Sequence, residues 1–258
     1  MSLLVLIYHR VDETSAARAN VHCLSLSQFG AQMDHLRRAG YAVMSWRDFR
    51  SEALSGAAQI ALTFDDGNRS DLDCARLLAG HGLDALFFIA TDYLGQPGYL
   101  QRDDVAELRR LGMTIGSHGH RHLQLTSLSD VEAADELTTS RAILGDIVQQ
   151  PIEHFSFPGG AYDDRVVAMS RRAGYEYLFT SDWGLNRAAQ LSGRVFRRTS
   201  ILNHLDSDQF DNVLRQRNYF ARQVGFKTKE WMKKSLGQGR YVQIRQVLLD
   251  LRKSRQER

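Results

Sequence analysis

Two short stretches of this 258-residue chain carry side chains whose types and spacing suit metal-assisted hydrolysis. The first is Thr63-Phe64-Asp65-Asp66-Gly67. Two neighbouring carboxylates are costly to desolvate together unless a cation or hydrogen-bond donors stand close by. One of them can ligate a metal ion while the other, pointing elsewhere, acts as a base. The plain alternative is an acidic turn, because Asp-Gly is a common turn dipeptide. The second stretch is Ser117-His118-Gly119-His120-Arg121-His122, with three histidines in five residues. Imidazole nitrogen suits zinc and its neighbours in the divalent series, and a catalytic site takes three protein ligands plus a water. His118 and His122 can converge on one ion; the plain alternative is a solvated histidine-rich loop. Asp66, His118 and His122 together make two imidazoles and one carboxylate, the expected metal site. Zinc, or another divalent ion such as cobalt or nickel, is the expected cofactor.

Such groups need a rigid frame. Short apolar runs at 3–8, 42–45, 60–64, 85–89, 114–116, 154–157, 177–180 and 195–200 read as strands. Helix-like stretches lie between them at 27–39, 69–79, 102–111, 129–147 and 163–172, with apolar residues at helical spacing. This alternation predicts an α/β fold with a largely parallel sheet. About seven or eight strand–helix units suit a distorted (β/α) barrel of about seven strands better than an open sheet. Barrels and open α/β sheets place their sites at the C-terminal ends of the strands. Asp65 and Asp66 follow 60–64, His118 and His122 follow 114–116, and Pro158-Gly159-Gly160 follows 154–157.

Composition bounds the remaining possibilities. At 43% hydrophobic and 24% charged residues the chain is ordinary globular protein. Three prolines and no low-complexity tract argue against a long disordered linker. Cys23 and Cys74 form no metal-type pair. The apolar run from Leu3 to Ile7 is too short for a signal peptide core or a membrane span, so a cytoplasmic location is expected, at most peripheral to the inner face of the membrane. From Asp211 to Arg258 there are thirteen Lys and Arg against four Asp and Glu, whereas residues 1–210 carry 20 and 26. The expected organisation is a catalytic domain over 1–209 and a basic helical extension over 210–258. Tyr241, Ile244, Leu248 and Leu251 form one stripe of that extension, which suits docking on the body or attraction to an anionic membrane surface. No recognised nucleic-acid motif is present, and no nucleic-acid partner is expected.

Over about residues 3–210 the chain resembles the polysaccharide deacetylases of the NodB-homology type, carbohydrate esterase family 4. The resemblance rests on the T-F-D-D-G stretch, the two histidines four apart, Leu6-Ile7-Tyr8-His9-Arg10-Val11, and the segment 29–41 ending Arg38-Ala39-Gly40-Tyr41. It implies an N-acetylated carbohydrate as substrate, Asp65 as the base, and Asp66, His118 and His122 as metal ligands. Gly119 stands where the family commonly has Ser or Thr. The third family motif, R-x-P-[YF]-G, reads Ser156-Phe157-Pro158-Gly159-Gly160, with serine for the arginine that orients the base and glycine for the aromatic. The Gly159 amide remains available to an oxyanion. Pro158, Tyr162 and Trp183 are the candidate substrate contacts, Trp183 lying near the family's fourth motif. His204, in Ile201-Leu202-Asn203-His204, is the nearest match to the fifth motif's general acid, and His9 is a candidate for supporting work. Two other classes stay open: a metal-dependent amidohydrolase for another acylated substrate, and a carbohydrate-binding pseudoenzyme. The missing arginine suggests the pseudoenzyme, while the retained Asp65 argues against it.

Overall fold

The strand–helix alternation is realised as eleven strands and seven helices in a computed structural model that describes residues 2–12, 20–47, 49 and 59–217. In chain order these are β1 (Leu3–Tyr8), β2 (Arg10–Val11), β3 (Cys23–Leu24), α1 (Leu26–Arg38), β4 (Ala42–Val43), β5 (Gln59–Phe64), α2 (Asp71–Gly80), β6 (Leu86–Ile89), α3 (Arg102–Arg110) and β7 (Thr114–Ser117). They continue with α4 (Asp130–Val148), β8 (His154–Ser156), α5 (Asp164–Arg172), β9 (Tyr177–Phe179), α6 (Ala188–Gly193), β10 (Val195–Phe196), β11 (Thr199–Ser200) and α7 (Ser207–Leu214). Residues up to Leu214 form one compact unit. The stripe expected at 241–251 lies outside the described residues.

Nine strands form one parallel sheet in the order β10-β9-β8-β7-β6-β5-β1-β11, with β4 also on β5. The curled sheet with its helices is the expected distorted (β/α) barrel. The expected strand 195–200 divides: its first half pairs with β9 and its second half with β1. One short segment therefore touches both ends of the sheet, with Arg197 and Arg198 at the break. Eight strands lie along the curl for this reason, close to the seven expected.

The pleat sorts side chains between two cores, because successive residues of a strand face opposite ways. Leu3, Val5, Ala61, Leu86, Phe88, Phe179 and Phe196 pack in one cluster with Trp46 and Phe49, inside the curl. Leu4, Leu6, Tyr8, Leu62, Phe64, Phe87 and Phe155 join the larger cluster with the buried faces of α1 to α5. Trp46 seals the inner core by donating from Nε1 to the Leu62 carbonyl at 2.9 Å. The same alternation, continued past the strand ends, turns Asp65, His118, Ser156 and Arg198 inward. Gly116 has no choice of residue: a Cβ there would sit 2.6 Å from the Phe88 ring.

Helix ends carry the expected signals. Ser25 with Gln28 and Ser129 with Glu132 form capping boxes at α1 and α4, and Asp163 caps α5. These caps fix where α4 starts, and with it the buried face that presents Glu136 to the loop after β7.

Candidate functional site

Asp66, His118 and His122 meet at the C-terminal end of the sheet, each offering a ligand atom within 4.8 Å of the others. The Asp66 Oδ1 atom lies 3.6 Å from His118 Nε2 and 3.4 Å from His122 Nε2. Ligands bound to zinc at about 2.0–2.1 Å stand roughly that far apart around a tetrahedron. The tautomer also fits. His118 Nδ1 lies 2.8 Å from the Ser156 carbonyl, to which it donates, so Nε2 keeps its lone pair for an ion. Burial holds the His118 pKa below its usual value against the pull of Asp65 and Asp66, favouring the neutral imidazole a metal requires. The residues present therefore fit a divalent ion.

Backbone strain marks the same residues. Asp66 and His122 have φ of 84° and 60°, two of the five described non-glycine residues in the left-handed region. Such conformations cost about 1–3 kcal/mol each and persist where the surroundings enforce them. Beside His122 the loop is held by Glu136, which is fully buried on α4. Its carboxylate accepts the His120 and Arg121 amides, both at 2.9 Å, and Arg121 Nε at 2.6 Å. Gly119 completes the bend at φ 79°, where a Cβ would lie 3.2 Å from Glu136 Oε2. The middle histidine turns away: His120 Nδ1 pairs with Thr91 Oγ1 at 2.9 Å.

Asp65 lies just beneath this group, its Oδ2 3.8 Å from His118 Nε2. It is held from below by Arg198, a residue that the sequence reading passed over. Arg198 is fully buried, and its Nη1 and Nη2 donate to the two Asp65 oxygens at 2.7 and 2.8 Å. Burial alone would raise the Asp65 pKa; Arg198 and His118 outweigh it and hold the carboxyl well below the usual range. For Asp66 too, burial is overcome by the contact with His122, by His118 and by His9, and the group titrates low. Arg198 left one trace in the sequence: it shares the parity of the apolar Phe196 on an extended run and so faces the core.

The remaining candidates divide. Pro158 is buried against the His118–His122 loop, its Cγ 3.6 Å from where a Gly119 Cβ would be. Gly159 follows in the left-handed region at φ 63°. Tyr162 is exposed on the loop after β8, stacked on Phe157, and its hydroxyl donates to Asp182 at 2.7 Å. Trp183, half-buried, sits on the loop after β9. His204 is exposed in the turn after β11, and no described contact joins it to the cluster. His9, by contrast, follows β1 at the same end as Asp65, whose amide donates to the carbonyl of the preceding Tyr8 at 3.0 Å. The His9 Nδ1 is buried without a hydrogen-bond partner among the described residues, and its ring stands 5.0 Å from that of His22.

Comparison with known proteins finds related sequences and a similar fold. Residues 55–178 match the family model described as polysaccharide deacetylase. A Bacillus subtilis protein named YxkH is 23% identical over 187 residues, covering 70% of this chain and 65% of its own. The chitooligosaccharide deacetylase of a Bradyrhizobium strain is 34% identical over 137 residues, covering 50% of this chain and 61% of its own. The chain thus spans less than two thirds of the length of these curated relatives. In fold, it is similar to the Streptococcus pyogenes deacetylase PplD, solved in complex with acetate, with a TM-score of 0.75 at 21% identity over 83% of this chain and 98% of that one.

Proposed function

We propose that this chain, whose residues 55–178 are of the polysaccharide deacetylase family, hydrolyses N-acetyl groups from an N-acetylated carbohydrate. The observation that carries the reading is the pairing of an ionised, arginine-held Asp65 with the Asp66–His118–His122 cluster beside it. A divalent ion held by those three residues would polarise the amide carbonyl and ease the ionisation of a water. Asp65, kept ionised by the Arg198 guanidinium, takes the proton from the attacking water. The Gly159 amide donates to the oxyanion that develops. His9 supplies the proton to the departing nitrogen, a role that its place directly after Tyr8, whose carbonyl accepts from the Asp65 amide, supports better than the exposed position of His204. The C–N bond breaks, and acetate and a free amino sugar leave. Tyr162 and Trp183, on neighbouring loops, offer aromatic faces to sugar rings.

No described helix is long and apolar enough to cross a membrane. The basic excess of residues 211–258 supports attraction to anionic lipid head groups, which would bring the site to a lipid-linked N-acetyl sugar in the cytoplasm. The test is acetate release from N-acetylated oligosaccharides and lipid-linked N-acetyl sugars by protein loaded with zinc, cobalt or nickel. Asp65→Asn should abolish release while retaining the ion, and a chelator should abolish it reversibly. Hydrolysis by Asp65→Asn near the wild-type rate would reject the assignment of the base, and no release from the whole panel would reject the function.

A further inference from the structure

Arg198 is an unusual expense for a fold. It is the largest of the fully buried side chains, and a guanidinium taken from water needs every one of its five N–H groups satisfied. All five are. Nε donates to the Thr180 carbonyl at 3.0 Å, and Nη1 to Thr63 Oγ1 at 3.2 Å and Asp65 Oδ1 at 2.7 Å. Nη2 donates to Asp65 Oδ2 at 2.8 Å and Ser156 Oγ at 2.7 Å. Phe88 and Phe179 face the guanidinium carbon, 5.1 and 5.9 Å from their ring centres, and exclude water. Ser156 is the residue that stands where an arginine would open the third family motif. Its small side chain leaves the space beside Asp65 to a guanidinium arriving from the break between β10 and β11, and its hydroxyl accepts from that guanidinium.

We propose that Arg198 is the positioning residue for Asp65, and that Ser156 and Arg198 form a complementary pair in which the barrel-closing segment 195–200 supplies the arginine that β8 lacks. The inference rests on the deacetylase reading for its kinetic consequence, though not for its geometry. A bidentate pair fixes both the rotation and the tilt of a carboxylate, whereas a point charge fixes neither. The loss of Arg from the third motif is then no sign of a dead site. It also ties catalysis to closure of the barrel, because the positioning group is delivered by a segment that touches both sheet ends.

The experiment compares wild type, Arg198→Lys, and the exchange variant Ser156→Arg with Arg198→Ser, each loaded with zinc. Arg198→Lys keeps a charge but not the bidentate contact. It should lower kcat by about 10²-fold, the order expected when a reacting group is misplaced by an ångström, with KM and bound zinc nearly unchanged. A kcat within about threefold of wild type would overturn the proposal, since effects of that size need no lost positioning. If Arg198→Lys does not fold, the exchange variant decides: return of turnover supports the pair, and an inactive exchange variant overturns it. A readout without turnover separates this from the function itself. In nitrogen-resolved NMR the Arg198 N–H signals should be slow to exchange in the wild type and shift or broaden in Asp65→Asn. Should no substrate be turned over by the wild type, protected and Asp65-dependent signals would still support the clamp while the deacetylase reading fails, and rapidly exchanging signals would sink the clamp alone.

Discussion

Truncating Glu136 should loosen the candidate metal ligands without touching them. The carboxylate is fully buried and accepts three hydrogen bonds, two from consecutive backbone amides between His118 and His122 and one from Arg121 Nε. In Glu136→Gln the amide oxygen can replace Oε2 and keep both backbone bonds, but its NH2 group then faces another donor. Arg121 is 44% exposed and can turn to water, so Gln costs only a small part of what Ala costs. Glu136→Ala leaves both amides unpartnered, at about 1–3 kcal/mol each; because they are only part-buried and regain some water, a total of about 2–4 kcal/mol is expected. Outer partners of this kind also cost about 10–100-fold in metal affinity when removed. Urea unfolding without metal measures the first effect, and calorimetric zinc titration the second. The expected order is wild type, then Gln, then Ala in both assays. Glu136→Ala unfolding within about 0.5 kcal/mol of wild type, an effect typical of surface changes, with unchanged zinc affinity would refute the reasoning.

Other expectations follow from the same geometry. Zinc at about 100 times its Kd should stabilise the wild type by about 2.7 kcal/mol, or a Tm rise of about 5–10 °C for a domain of this size, and His118→Ala should abolish the rise. Asp71 is fully buried, and neither carboxylate oxygen has a hydrogen-bond partner among the described residues. Burial, with Asp66 and Asp65 nearby, pushes its pKa well above the usual range. The folded state thus keeps a proton that the unfolded chain has lost, and Asp71 costs stability as pH rises from the ordinary carboxylate range through its raised pKa. Asp71→Asn should therefore raise Tm at pH 8 and do little near pH 3; an equal effect at both would contradict the buried neutral acid. His9→Gln should lower kcat by about 10²–10⁴-fold, the usual worth of a positioned proton donor, while His204→Gln stays near wild type. The opposite ranking would return the acid to His204.

Much of this site was legible because its signals are local. A strand end followed by Asp65-Asp66-Gly67, and two histidines four residues apart, announce carboxylate and imidazole at the same end of a parallel sheet before any coordinate is known. Strand and helix positions were legible too, since period-2 and period-3.6 patterns follow directly from the burial of one face. What escaped were the contacts that hold these groups in place. The sequence shows Ser156 where an arginine was expected and leaves the support of Asp65 open; Arg198, 133 residues further on than Asp65, closes that gap only when 195–200 divides between β9 and β1. Glu136 likewise reads as one more acidic helix residue until α4 packs its buried face under the histidine loop. Residue types and short spacings therefore singled out Asp65, Asp66, His118 and His122 as candidates, with the resemblance naming Asp65 as the base. Only the tertiary structure decided what holds them, because a buried ion pair or a carboxylate capping a loop is made between segments that the fold, and not the chain order, brings together.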